Sequence, residues 1–74
     1  MAALLDAISN RERQVLELIS HAYTSEQIAK KLFVSTSTII THRKNLLDKL
    51  EAKNTAGLVR IGFEKGYLCI AEEV

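Results

Sequence analysis

Proline is absent from this sequence, and glycine occurs only at Gly57, Gly62 and Gly66, so little in it interrupts a helix. A single cysteine, Cys69, excludes an internal disulfide and a cysteine-rich zinc site. It fits a reducing compartment and reads as an ordinary buried or half-buried thiol. No apolar run approaches the length of a membrane span. The opening residues, Met1 to Leu5, have neither the basic region nor the long apolar stretch of a secretory signal. A cytoplasmic protein without membrane association is expected.

Signatures of catalysis are missing as well. No Ser-His-Asp or Cys-His set stands out, no glycine-rich phosphate loop, and no metal-ligand spacing. His21 stands alone at the end of a predicted helix, where it suits the helix dipole. A domain of 74 residues also leaves little room for a substrate pocket. The expectation is a non-enzyme with no cofactor and no metal.

What is present is helix-forming. Hydrophobic residues make up 47% of the chain, which suits one small folded domain and argues against disorder. The net charge of +1 says nothing for a polyanionic partner, but its distribution does. Residues 1–26 carry two basic and four acidic groups, residues 27–65 eight basic and three acidic, and residues 66–74 two acidic, or −2, +5 and −2. The positive charge is confined to the middle and later part, where a binding face could carry it.

Four helices are predicted, each with its own start signal. Ser9 and Glu12 stand in capping-box relation, and Val15, Leu18, Ile19 and Ala22 follow one helical face, predicting a helix from about Asn10 to Ser20. Thr24 and Gln27 repeat the box for a short helix, about Ser25 to Leu32, with Ile28, Ala29 and Leu32 inward. After a connector of Phe33 and Val34, Ser35 is a good N-cap for a third helix from about Thr36 to Leu50. At about 100° per residue, His42, Arg43, Leu46 and Leu50 fall near Ile39, while Ser37, Ile40, Thr41, Lys44 and Asp48 fall opposite. Asn54 or Thr55 caps a fourth helix that ends near Lys65, with Gly66 where a left-handed residue is wanted. Its apolar residues, Leu58, Val59, Ile61 and Phe63, cover about 200° of arc, wider than one core contact needs, so a second apolar contact is implied. A partner subunit is the simple candidate, through Val59 and Phe63. Close approach of another helix would explain Gly62. Residues 1–7 read as a linker remnant and residues 68–74 as a C-terminal tail.

The fold class expected is all-α, a compact four-helix bundle over residues 8–67 that contains a helix-turn-helix at about 25–44. In such a pair the short helix braces the DNA backbone and the next presents its outward stripe to base edges in the major groove.

The sequence resembles the DNA-binding domain of the LuxR/FixJ family of bacterial regulators. The resemblance runs from Ile8-Ser9-Asn10-Arg11-Glu12 through Val15-Leu16, Leu18-Ile19, Glu26-Gln27-Ile28-Ala29 and Leu32. It is densest at Val34-Ser35-Thr36-Ser37-Thr38-Ile39, and continues through His42, Asn45-Leu46, Lys49-Leu50, Lys53-Asn54-Thr55, Leu58-Val59 and Glu64-Lys65-Gly66. The chain departs from the family where Ala22-Tyr23 and Glu51-Ala52 stand in place of frequent glycines.

The resemblance implies a response-regulator output domain of a two-component system. It implies base-edge contacts from Ile40, Thr41 and Lys44, the residues the helical count also places outward. Phosphate contacts are expected from Thr24, Ser25, Lys30, Ser37, Thr38, Asn45 and Lys49. Asp48 and Glu51 would repel phosphate, so the helix should leave the groove by that point. His42 is expected to pack or hydrogen-bond rather than meet DNA. The expected partners are double-stranded DNA, a second copy of the chain, RNA polymerase and an N-terminal regulatory domain lacking here. The competing expectation is a helix-turn-helix used as a protein-interaction module, which the low net charge and the apolar Ile40 keep open.

Overall fold

The computed structural model describes residues 8–70. The expected linker at 1–7 and the last four residues of the tail lie outside the described residues. Four helices follow in order: α1 (Asn10–Ser20), α2 (Ser25–Leu32), α3 (Thr36–Lys49) and α4 (Thr55–Glu64), with no strand among the described residues.

Each helix starts where its cap dictates. The Glu12 amide donates to Ser9 Oγ at 3.1 Å, and Glu12 Oε1 accepts from the Ser9 amide at 2.9 Å. Thr24 and Gln27 make the same reciprocal pair at 3.2 and 2.9 Å. Ser35 Oγ accepts the Thr38 amide at 3.2 Å, and Asn54 Oδ1 the Gly57 amide at 2.9 Å. Each side chain satisfies an amide that has no partner inside its helix.

The ends differ more from expectation. Helix α3 stops at Lys49, one residue early, and Leu50 becomes its C-cap while staying in the core. Ala22 was expected on the inner face of α1, but it lies beyond the helix, exposed, with φ 70°. Leu16 takes the inward place and is fully buried. Phe33 and Glu51 also have positive φ, 58° and 54°, so three turns rest on non-glycine residues in the left-handed region. Gly66, at φ 84°, sits where it was expected.

Val15, Leu16, Ile19, Ile28, Ala29, Ile39, Leu46, Leu50, Leu58 and Leu68 form one buried cluster. The sequence places Leu68 in a C-terminal tail, outside the bundle. Instead its amide donates to the Gly62 carbonyl at 3.0 Å and its side chain is buried. A Cβ on Gly62 would lie 2.7 Å from Leu68 Cδ1 and 3.2 Å from Leu16 Cδ2. The glycine therefore admits both α1 and the chain's own tail. Helix α3 touches all three other helices, whereas α2 and α4 do not touch each other. The bundle thus grips α3 from α1, α2 and α4, and leaves one of its sides without a neighbour.

Candidate nucleic-acid interface

The uncovered side of α3 is the outward stripe. Ile40 is 56% exposed, and Ser37, Thr41 and Lys44 are exposed beside it. Ile39 and Leu46, on the opposite side, are completely buried. The separation follows from helical periodicity, since Ile40 and Lys44 are about one turn apart and Thr41 flanks them. Three different chemistries thus share one face: a branched apolar side chain, a hydroxyl with a methyl, and an ammonium.

Of the residues expected to meet phosphate, Thr24, Ser25, Ser37 and Thr38 sit at the starts of α2 and α3, Lys30 in the last turn of α2 and Asn45 further along α3. Thr24, Lys30, Ser37, Thr38 and Asn45 are exposed, and Ser25 is half-buried. The Ser37 and Thr38 hydroxyls lie 3.1 and 2.8 Å from Ser35 Oγ, forming a small hydroxyl cluster at the N-terminus of α3. Lys49 stands apart from this set. Its ammonium lies 2.9 Å from Glu12 Oε1, so a structural partner already engages it. Lys31 is held over the Tyr23 ring, 5.0 Å from its centroid, a cation–π contact that leaves Lys30 the freer of the pair. Asp48 and Glu51 are exposed further along.

His42 is half-buried, and its buried Nδ1 has no hydrogen-bond partner among the described residues. Arg43, also half-buried, donates from Nη2 to the Thr55 hydroxyl at 2.9 Å. On α4, Val59 is half-buried against the core and Phe63 is 39% exposed. Leu68 covers part of the apolar arc that the sequence pattern left for a partner, so α4 presents a narrower free face than expected. Cys69 is exposed, not buried, because Leu68 beside it takes the inward position.

Sequence reasoning passed over Phe33. It is 94% exposed in the turn between α2 and α3. The only signal was a large apolar residue in a tight turn.

Bacterial regulatory proteins of the luxR family match residues 6–61, more than half of the chain. The chain belongs to this family. The luxR-family domain is 41% identical over 61 residues to the transcriptional regulatory protein MctR of Rhizobium johnstonii. It is 38% identical over 61 residues to the oxygen regulatory protein NreC of Staphylococcus carnosus, and equally to that of Staphylococcus aureus. Each match covers 82% of this chain and 28% of the relative, so the chain spans little more than a quarter of their length. The domain is thus a helix-turn-helix DNA-binding domain of transcription regulators. No helix among the described residues is long and apolar enough to cross a membrane.

Proposed function

We propose that this luxR-family domain reads a specific duplex sequence by laying α3 in the major groove, as one half of a homodimer joined along α4. Ile40 carries the reading. An isoleucine 56% exposed on a packed helix lies outside the core cluster, whereas a groove offers it thymine methyl groups. Thr41 adds a methyl and a hydroxyl. Lys44 donates to guanine O6 or N7. Thr24, Ser25, Lys30, Ser37, Thr38 and Asn45 contact phosphates and set the register. Lys49 joins them only through donors that Glu12 leaves free. Val59 and Phe63 meet their counterparts in the second subunit.

The reach of the relatives beyond this domain supports a longer regulator in the cytoplasm. In it a regulatory domain precedes this one, and RNA polymerase is a further partner. Phe33, 94% exposed, favours a second reading in which the helix-turn-helix docks on protein. Selection from random duplexes, followed by salt titration of the selected one, tests both. DNA binding yields an enriched motif and an affinity that falls steeply with salt as counterions are retaken. No enriched motif, with affinity for a protein partner insensitive to salt, would favour the second reading.

A further inference from the structure

Among the described residues, two polar ties hold α3 in the bundle. The Lys49–Glu12 pair joins it to α1, and the Arg43–Thr55 hydrogen bond joins it to α4. Among the described residues the latter is the only side-chain hydrogen bond between α3 and α4, and no carboxylate there pairs with Arg43. The rest of this joint is apolar, with Leu46, Leu50 and Leu58 in the common core. Apolar burial is non-directional and tolerates small rotations of one helix on another. A hydrogen bond from a planar guanidinium constrains both distance and angle. Arg43 lies about 60° around α3 from Ile40, beside the reading face rather than on it. Thr55 opens α4, and Val59 and Phe63 follow it at four-residue steps on the same side of that helix.

We propose that the Arg43–Thr55 hydrogen bond fixes the angle between the reading helix and the dimer helix, and thereby the half-site spacing the dimer accepts. The proposal rests on the dimer reading above. In a two-fold dimer joined along α4, each reading face is placed relative to its mate through the α3–α4 joint. Loosening that joint leaves the fit of one subunit to one half-site unchanged. It alters only how strictly the second half-site must be spaced.

The test uses the selected half-site, alone and in pairs whose separation is stepped by single base pairs. Wild type should lose on the order of tenfold in affinity one base pair from its preferred spacing, as for a mismatched position. Thr55→Val removes the hydroxyl and keeps the shape; it should bind the single half-site as wild type does and reduce the spacing penalty to about threefold. Arg43→Met should do the same, and Thr55→Ser, which retains the hydroxyl, should restore the strict profile. A Thr55→Val profile that coincides with wild type overturns the proposal. So does an equal loss on single and paired sites, which would mark a general binding defect. If wild type itself shows no spacing preference, the dimer reading fails and this inference falls with it.

Discussion

The ammonium of Lys49, in the last turn of α3, sits 2.9 Å from Oε1 of Glu12, in the first turn of α1, and the same oxygen accepts the Ser9 amide. Burial pushes the Glu12 carboxyl up, but the Lys49 ammonium and the Ser9 hydrogen bonds outweigh it and hold the carboxyl below its ordinary range. A carboxyl whose folded value is depressed stabilises the fold above its unfolded value. That stability drains away as pH falls through the folded value. Glu12→Gln should therefore cost about 1–3 kcal/mol at neutral pH, chiefly through the loss of a charged hydrogen-bond acceptor on a buried side chain. Lys49 is two-fifths exposed, so solvent screens its share. The gap between wild type and variant should begin to narrow below about pH 4.3, where the unfolded carboxyl protonates, and close only below the depressed folded value. Denaturant titrations at neutral and acid pH check this, and a gap independent of pH would refute it.

Three turns place Ala22, Phe33 and Glu51 at positive φ, and all three side chains are exposed. A Cβ in the left-handed region costs about 1–2 kcal/mol, partly offset by the extra freedom glycine gives the unfolded chain. Ala22→Gly, Phe33→Gly and Glu51→Gly should each raise stability by about 0.5–1 kcal/mol, additively, since the turns are separate. Thermal unfolding of the single and triple variants measures the gain. Phe33→Gly also removes an exposed ring that does nothing for the fold, so any function it lowers while raising stability belongs to that ring.

The parts of the fold that depend on neighbours in sequence were legible. Ser9 with Glu12 and Thr24 with Gln27 announced their helices because a capping box closes over three residues. The alternation of Ile39 and Leu46 with Ile40 and Lys44 showed which face of α3 is outward because helical periodicity is local. Lys49 with Glu12 was not legible, because 37 positions separate them and only the packing of α3 on α1 brings them together. Leu68 was missed for the same reason: nothing near it in sequence says that a tail turns back onto Gly62. Arg43 was seen to lie near the buried edge of α3, but its partner Thr55 belongs to another helix.

Gly62 carries a prediction in which two effects oppose. Alanine is about 1 kcal/mol better than glycine inside a helix. Here its Cβ would fall 2.7 Å from Leu68 Cδ1 and 3.2 Å from the fully buried Leu16. Overpacking of this kind costs about 1–3 kcal/mol. Leu16 is fully buried within α1, whereas Leu68 lies outside any helix and is tied back by one backbone hydrogen bond, so the tail should be what yields. Gly62→Ala should leave α1 to α4 intact and lower hydrogen-exchange protection at the Leu68 amide, which bonds to the Gly62 carbonyl. Unchanged protection there would mean that the pocket absorbs the methyl group. Gly62→Ala with Leu68→Ala should recover the helix-propensity gain in α4, at the cost of the leucine's burial.

Lys44 and Lys30 separate base reading from backbone attraction, because both are exposed lysines on adjacent elements of the helix-turn-helix. Lys44 lies on the face of Ile40 and Thr41, where its ammonium can donate to guanine O6 or N7. Lys44→Ala should cost about 1–3 kcal/mol on the selected duplex and relax preference at one base pair. Lys30 is in the last turn of α2, away from that face. Lys30→Ala should weaken selected and scrambled duplexes alike and reduce the slope of log K against log salt by about 1, as one phosphate contact is lost. Titrations of both variants against both duplexes at several salt concentrations give the four comparisons required. Equal losses from Lys44→Ala on the selected and scrambled duplexes would demote Lys44 to a phosphate contact and leave Ile40 and Thr41 to carry all of the discrimination. No loss on either would remove the stripe from the groove, because a helix seated there by Ile40 must bring Lys44, one turn away, against the bases.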